Sequence, residues 1–232
     1  MSTLLTLNQV SFGWGADSLL LDIPAFSLKQ GEHCFVMGPS GCGKSTLLSL
    51  LAGVIAPLTG EVWLNGKDIA AQKPSARDKI RADNIGFIFQ QFNLVSYLSS
   101  LENVLLPTRF SRQRAEKARL YSGHPEDEAS RLLEGFFSSS KPDFARPVSQ
   151  LSVGQQQRVA AARALIGSPG LIIADEPTSA LDHDNRLRFM SLLMSHADSQ
   201  ESTLLFVSHD PTLADQFDRV LNMSDINQLP ST

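Results

Sequence analysis

The chain has 232 residues, of which 42% are hydrophobic, and a net charge of −4. This size and composition predict one globular domain over residues 1–232. The acidic balance, with no basic stripe, argues against nucleic acid as a partner. The chain contains two cysteines, Cys34 and Cys42, and no Cys/His metal-ligand spacing, which favours a reducing, cytoplasmic setting.

The first third of the chain has the pattern of antiparallel strands. Residues 4–10 and 19–28 are predicted β segments, and Asn65-Gly66, following residues 61–64, is a strong tight-turn signal. The longest mostly apolar run, residues 46–56, is too short to cross a bilayer, and no secretion signal is evident. A role at a membrane would therefore require another chain to span it.

A glycine-rich loop lies between a short apolar strand and a helical segment, and it fits the phosphate-loop pattern. Glycines let backbone N–H groups converge on a phosphate at a helix N-terminus, which already favours anions. Lys44 adds a charge for the outer phosphates, and the Ser45 hydroxyl is a ligand for Mg²⁺. A simple glycine-rich turn is the alternative, but the full pattern in this context favours a nucleotide site. The loop residues are Gly38, Pro39, Ser40, Gly41, Cys42, Gly43, Lys44, Ser45 and Thr46.

Residues from about 100 to 164 have mostly helical and loop-like sequence. After them, strands and helices alternate again. This alternation indicates a parallel sheet. The charged run at residues 112–119 is interpreted as a solvated helix face and not as a nucleic-acid site. The predicted strands are residues 84–89, 171–174, 203–207 and 219–221, and the later predicted helices are residues 186–196 and 211–217.

Two acids, Asp175 and Glu176, follow the apolar strand 171–174. A parallel strand delivers its carboxyl end to the ligand crevice of the sheet. Asp175 is placed to hold Mg²⁺ through water, and Glu176 is placed to orient and polarise an attacking water. Alone, this pattern is equally consistent with a strand end and a turn. Together with the phosphate loop, it favours the functional interpretation.

A second helix N-terminus is predicted at Ser152, a good N-cap, shortly before the strong helix former at residues 159–165. Small residues surround it, so it is a candidate for a second anion site. The alternative is simply a capped helix. Two such sites with one nucleotide motif suggest that both act on the same phosphate, from two molecules.

These segments together resemble the ATP-binding cassette (ABC) ATPases, in the family's order and over almost the whole chain. The resemblance implies an α/β fold with a RecA-type P-loop core, an N-terminal antiparallel β subdomain and an inserted helical subdomain at about residues 91–165. Residues 87–94 are similar to cassettes of the lipoprotein-releasing and macrolide-exporting type. The segments that carry the resemblance are the phosphate loop, Leu-Ser-Val-Gly-Gln at 151–155, Asp-Glu with the following residues 177–182, and Ser-His-Asp at 208–210.

The resemblance also implies roles for single residues. Gln90 would touch Mg²⁺ and the water and couple the site to a membrane partner, and His209 would hydrogen-bond the γ-phosphate. Without the family, a surface glutamine and a structural histidine would be the favoured interpretations. Trp14 stands where the family places an aromatic residue that stacks on adenine, with Phe12 as the alternative. The remaining implied contacts to ATP and to the dimer partner are Ser152, Gly154, Gln155 and Asp182.

The chain departs from the family pattern at Val153, where most members have glycine. A positive φ would be costly for valine, so we expect altered affinity or rate at this position. The segment between residues 107 and 147, which in the family helps to choose the permease, also follows the usual pattern loosely.

The resemblance implies an ATP-binding and ATP-hydrolysing subunit of an ABC transporter at the cytoplasmic face of the membrane. Two copies would bind two ATP molecules head to tail, between the Lys44 side of one chain and the Ser152 side of the other, and drive a separate integral membrane permease. The alternative is a non-transport ABC ATPase that regulates a membrane-associated complex, as in cell-wall remodelling or division. A DNA-repair cassette is a weaker alternative, because the chain has no long coiled coil and no basic stripe.

Overall fold

The computed structural model describes residues 2–15, 18–137, 142–179 and 181–229. The chain divides into two compact units, the first built from residues up to 81 and from 203 onwards, the second from residues 82–202. The strands are β1 (Thr3–Phe12), β2 (Leu21–Lys29), β3 (Cys34–Met37), β4 (Thr59–Leu64), β5 (Lys67–Asp68), β6 (Ile85–Ile88), β7 (Leu171–Asp175), β8 (Thr203–Ser208) and β9 (Arg219–Asn222). The helices are α1 (Lys44–Leu51), α2 (Pro74–Asn84), α3 (Ser100–Phe110), α4 (Arg112–Ser122), α5 (Pro125–Phe136), α6 (Val153–Leu165), α7 (His183–Ser199) and α8 (Met223–Ile226), with 3₁₀ turns at Val148–Gln150 and Pro211–Gln216.

An antiparallel sheet with the strand order β2-β1-β4-β5 belongs to the first unit. In β1, Leu5 and Leu7 are fully buried while Asn8 is exposed, because alternate side chains of a strand point to opposite faces. The hairpin from β4 to β5 turns at Asn65 and Gly66, with φ values of 49° and 72°. Positive φ at both central residues defines the tight hairpin turn that asparagine and glycine tolerate, so the turn prediction is confirmed.

A parallel group of strands completes the β structure of the first unit, with β3 paired to both β8 and β9. All residues of β8 are buried. The rings of Phe35, Phe206 and Phe217 pack together with centroids 5.0–5.7 Å apart. Because the three strands are parallel, the segments that follow them emerge at one edge, which is where ligands bind in such sheets.

In the second unit, β6 and β7 pair in parallel and the helices α3 to α6 pack on one another. Helix α6 is buried along Val159–Ala162 and at Ala164 and Leu165, and the alanines at 160–162 allow close approach of neighbouring elements. Parallel strands with covering helices confirm the predicted α/β class.

The segment at residues 211–217 differs from its predicted α-helix. It forms a 3₁₀ turn over Pro211–Gln216 that begins at the cap Asp210, whose side chain accepts a hydrogen bond from the Thr212 N–H. Phe217 then turns to extended backbone, and its ring joins the phenylalanine cluster of the core. Short connecting segments of this kind frequently adopt 3₁₀ instead of α-helical hydrogen bonding.

The prediction of a solvated helix face at residues 112–119 is wrong at Arg114. This side chain is buried and donates to the carbonyl oxygens of Ala164 and Ile166, both at 2.7 Å. These carbonyls lie at the end of α6, where unpaired oxygens and the helix dipole favour a cation. Burial lowers the pKa of Arg114 to about 9.

Helix α2 was not predicted from the sequence. None of its residues is buried, so no apolar stripe with helical period marks it. Within the described residues, no helix has both the length and the apolar character needed to cross a membrane.

Candidate functional site

The phosphate loop occupies the turn between β3 and α1. Gly41 and Gly43 have φ values of +83° and +94°, a region that side chains with a Cβ rarely adopt. Gly43 is the N-cap of α1, and no side chain caps this helix end. A Cβ at Gly43 would also lie 2.8 Å from Leu21 Cδ2. The loop therefore leaves the backbone of the first turn of α1 available for an anion.

Lys44, the first residue of α1, holds its ammonium over this loop. Its Nζ donates to the carbonyl oxygens of Gly38 and Pro39, at 2.7 and 2.8 Å, and the residue is 6% exposed. The following Ser45 is exposed and Thr46 is half-buried. The loop thus concentrates one fixed positive charge and one accessible hydroxyl at the same helix end.

A cavity of about 410 Å³ adjoins the loop in the first unit. Residues that the sequence analysis missed contribute to it, including Asn222 and Asn227. The strand register could have identified them. Met37 in β3 pairs with Asn222 in β9, so the residues that follow these two strands emerge at the same edge. The full lining consists of Leu19, Leu20, Gly38, Pro39, Ser40, Gly41, Cys42, Asn222, Met223, Ser224, Asn227 and Leu229.

The two candidate aromatic residues differ sharply in exposure. Trp14 is 72% exposed, whereas Phe12 is 7% exposed and packs edge-on against the Trp14 ring with centroids 5.1 Å apart. A buried ring has no face to offer an adenine, so the structure favours Trp14 over Phe12.

His209 directly follows β8, whose last residue, Ser208, pairs with Met37 at the end of β3. The first loop glycine, Gly38, directly follows Met37. The structure therefore brings His209 to the edge of the sheet at which the phosphate loop begins. His209 itself is exposed.

In the second unit, the two acids at the end of β7 and the glutamine after β6 share one edge. Ile88 pairs with Ala174, so Gln90 and Glu176 each lie two residues beyond a paired position. Gln90 is exposed, and Asp175 and Glu176 are half-buried. Glu176 has a φ of 43°, a left-handed conformation that costs a non-glycine residue of order 1–3 kcal/mol and is often found at functional sites.

The predicted N-cap at Ser152 is confirmed. Its Oγ accepts the Gln155 N–H at 3.3 Å, and Gln155 Oε1 accepts the Ser152 N–H at 2.9 Å, so the two residues form a capping box. Gly154, in the same turn, is half-buried. This turn of α6 is well defined and reaches the surface.

The expected backbone cost at Val153 does not arise. Val153 is the first residue of α6 and is not among the described residues with positive φ, because this position requires only helical backbone, which valine can adopt. Its side chain is 52% exposed beside Ser152. Any effect of Val153 must therefore come from its isopropyl group and not from strain.

Asp182 lies next to the Ser152 turn. Both residues line a cavity of about 360 Å³, together with Gly154, Gln155 and Asn185. Asp182 is the N-cap of α7, and its carboxylate accepts the Asn185 N–H at 2.9 Å and the Asn185 amide at 2.7 Å. These hydrogen bonds lower the pKa of Asp182. Ala180, within the predicted 177–182 segment, lies outside the described residues.

The sequence shows its relationship to known proteins over most of its length. Residues 21–179 match the family model for ABC transporter. The lipoprotein-releasing system ATP-binding protein LolD of Pseudomonas syringae pv. tomato is 39% identical over 196 residues, which cover 84% of this chain and 82% of that protein. The macrolide export ATP-binding/permease protein MacB of Chlorobaculum tepidum is 40% identical over 205 residues, which cover 88% of this chain and 30% of that protein.

A solved structure agrees with this relationship. The dimeric post-hydrolysis state of an ATP-binding cassette bound to ADP and Pi superimposes with a TM-score of 0.80 and 34% identity, over 94% of this chain and 93% of that chain. The names of the relatives are those of transport proteins, which favours transport over the regulatory alternative. The chain therefore belongs to the ABC transporter family, in which it is an ATP-binding cassette that hydrolyses ATP.

Proposed function

We propose that this chain works as a Mg²⁺-dependent homodimer that drives a separate integral membrane permease from the cytoplasmic side. The observation that carries the proposal is the exposed, capped turn at Ser152, which shares a cavity with Asp182. A helix N-terminus of this kind suits a phosphate, yet the only phosphate-loop sequence follows Met37. A second copy of the chain gives this second anion site a nucleotide to bind.

In this proposal the phosphate loop binds the triphosphate. The backbone N–H groups of residues 40–46 surround it, and the Lys44 ammonium exchanges its carbonyl partners for the outer phosphate oxygens. The exposed Trp14 face stacks on the adenine, and a ring N–H of His209 donates a hydrogen bond to a γ-phosphate oxygen. Each of these residues belongs to the first unit.

The proposed metal donors are the Ser45 hydroxyl, the Gln90 amide and the Asp175 carboxylate. All three supply oxygen atoms, which fits the preference of Mg²⁺ for hard ligands, and Gln90 and Asp175 emerge at one edge of a parallel strand pair. When bound, the ion neutralises charge that develops on the phosphates.

Glu176 is the proposed residue that orients the attacking water. Glu176 directly follows Asp175, the last residue of β7. Its left-handed backbone determines the direction in which the Glu176 side chain leaves the chain. As a general base, it would take a proton from the water as the bond to phosphorus forms. Gln90, at the same edge, would help to hold this water.

The proposed dimer pairs the Lys44 side of each chain with the Ser152 side of its partner, with Gly154, Gln155 and Asp182 at the contact. An isologous arrangement uses both anion sites twice and leaves neither unmatched. The dimeric cassette bound to ADP and Pi supports such an assembly. ATP would close the dimer, and hydrolysis with product release would open it.

A membrane partner is supported by the relatives, since one is the ATP-binding protein of a lipoprotein-releasing system and another is an export ATP-binding/permease protein. In the second unit, Tyr97 and Phe110 are 78% and 77% exposed, as residues at a protein contact often are in a free subunit. We propose that the whole chain is one ABC domain, with a helical subdomain at about residues 91–165 that contributes to this contact.

Sedimentation of Glu176→Gln with Mg-ATP, with Mg-ADP and without nucleotide tests the dimer. The variant should bind ATP and turn it over slowly, so ATP at the interface should add its binding energy to association. A dimer formed only with ATP, and lost when Ser152→Arg is added, supports the proposal. A nucleotide-independent dimer that survives Ser152→Arg contradicts the shared-phosphate arrangement. A monomer at saturating ATP contradicts dimerisation without the permease.

A further inference from the structure

The backbone just after Gln90 adopts an unusual conformation. Phe92 and Asn93 have φ values of 59° and 47°, so two consecutive non-glycine residues are left-handed. The Phe92 N–H donates to the Phe89 carbonyl at 2.9 Å, and the Asn93 N–H donates to the Gln91 carbonyl at 2.7 Å. Left-handed backbone is unfavourable for residues with a Cβ and persists only where the surroundings enforce it.

The Arg163 side chain stabilises this left-handed backbone. Its Nη1 donates to the Asn93 carbonyl at 2.7 Å and its Nη2 donates to the Phe92 carbonyl at 2.5 Å. One planar guanidinium therefore binds both left-handed residues at once, which a lysine ammonium, as a single point, matches poorly. The Phe92 side chain is also buried, so both the packing of its ring and the hydrogen bonds to the two carbonyls stabilise the segment.

The position of Arg163 in α6 connects this contact to the Ser152 turn. Arg163 lies in the last turn of α6, whose N-cap is Ser152. Arg163 lies eleven residues along the chain from Ser152, which is about 16 Å along one rigid helix axis. The buried stretch Val159–Ala162 fixes this helix in the second unit. A displacement of the Ser152 turn along the helix would be carried to the backbone next to Gln90.

We propose that Arg163 is a positioning residue that holds the Gln90 segment and joins it mechanically to the Ser152 turn. This inference rests on the proposed role of Gln90 in hydrolysis. Burial lowers the pKa of Arg163 to about 10, so the side chain remains charged at neutral pH and its hydrogen bonds are charge-assisted. Arg163 acts through Gln90 and touches no substrate.

The experiment compares Arg163→Lys with Arg114→Lys, in the full-length protein. Arg114→Lys controls for the loss of a buried guanidinium, because Arg114 binds backbone carbonyls at the end of α6, including that of Arg163 at 3.4 Å, but not those of residues 92 and 93. Amide exchange should accelerate about tenfold or more at residues 91–94 in Arg163→Lys only. The kcat should fall about tenfold with KM for Mg-ATP unchanged, since Lys44 and the loop are intact.

A double mutant with Gln90→Ala separates positioning from general destabilisation. If Arg163 acts through Gln90, Arg163→Lys should cause no further loss of kcat in the Gln90→Ala background. Should Arg163→Lys fold poorly, Arg163→Met serves instead, because it keeps a long side chain without burying a charge.

The outcomes distinguish the inference from the function on which it rests. Gln90→Ala with wild-type kcat overturns the proposed role of Gln90, and with it the kinetic part of the inference. If Gln90→Ala has a lowered kcat and the kcat losses of Gln90→Ala and Arg163→Lys are additive, the inference alone is overturned. The same holds if Gln90→Ala has a lowered kcat but amide exchange at residues 91–94 is unchanged in Arg163→Lys. Local exchange acceleration together with non-additive kcat supports it.

Discussion

Ile88 and Ala174 lie opposite each other in the parallel pair of β6 and β7. This register places Gln90 and Glu176 at equal distances beyond the paired positions, at the carboxyl edge of both strands. Residues separated by 86 positions in sequence thereby follow two paired strands at the same edge. The pairing gives a structural reason to consider the amide and the carboxylate as parts of one water-binding arrangement.

The first prediction concerns Glu176. Glu176→Gln should retain ATP binding and lose roughly 10²–10⁴-fold in hydrolysis rate, the usual size of a general-base contribution. Steady-state phosphate release and equilibrium ATP binding measure the two effects. Glu201→Gln is the matched control, because Glu201 also has a positive φ, of 54°, but follows α7 at an exposed position. Hydrolysis near the wild-type rate in Glu176→Gln would contradict the assignment.

The second prediction concerns the two cysteines. Cys42 is half-buried in the phosphate loop, while Cys34 is buried and burial raises its pKa to about 12. Since the thiolate is the reactive form, a thiol reagent should modify Cys42 far faster. Its modification should block ATP binding, because Cys42 lines the cavity beside the phosphate loop, so a group added to its thiol would occupy space that the nucleotide needs.

Mass spectrometry of the modified protein and an ATP-binding titration test this expectation. Saturating Mg-ATP should protect Cys42, and Cys42→Ser should make binding resistant to the reagent. Equal sensitivity of Cys42→Ser would place the inhibition elsewhere, and Cys34→Ser would then identify whether the buried thiol is responsible.

The parts of the site that could be predicted from sequence are those that depend on local chemistry. The loop at Gly38–Lys44, the cap at Ser152 and the turn at Asn65-Gly66 each require particular residue types at fixed spacing, so the sequence contains their full signal. The two acids at the end of β7 were found for the same reason, because an apolar strand that ends in two carboxylates is visible without any tertiary information.

Long-range contacts could not be predicted in this way. Arg114 and Arg163 bind backbone carbonyls of residues 29 to 71 positions away, and carbonyls carry no sequence signal. From sequence alone, an arginine in a charged, amphipathic segment is predicted to be exposed to solvent, because its hydrogen-bond partners are not known. Asn227, which lines the cavity beside the phosphate loop, was missed because its relation to β3 depends on the β9 register.

The third prediction concerns Arg114. Arg114→Ala should destabilise the protein by about 3–5 kcal/mol, because the buried carbonyls of Ile85, Ala164 and Ile166 lose their charged donor together. Arg112→Ala, on the same helix, is the control. The Arg112 side chain is 92% exposed and pairs only with Glu116 at the surface, so its loss should change stability by about 0.5 kcal/mol or less. Urea denaturation measures both, and equal effects would contradict the argument.

The fourth prediction concerns the pH dependence of stability through His196. This imidazole packs between helices α5 and α7 against the Phe136 ring, with centroids 4.9 Å apart. Burial lowers its pKa, the nearby Arg131 lowers it further, and Glu128 opposes the shift. The unfolded chain, with a histidine pKa of about 6.5, therefore binds a proton more readily than the folded chain.

The sign of the effect follows from proton linkage. Stability falls as the pH decreases through about 6.5, because the unfolded state gains the proton first, and the loss levels off below the folded pKa. Wild-type protein should therefore lose more stability between pH 7.5 and pH 5.5 than His196→Gln, as measured by urea denaturation at each pH. His124→Gln is the control, since His124 is exposed and its side chain makes no capping hydrogen bond. A wild-type pH dependence in His196→Gln would show that other groups govern stability over this range.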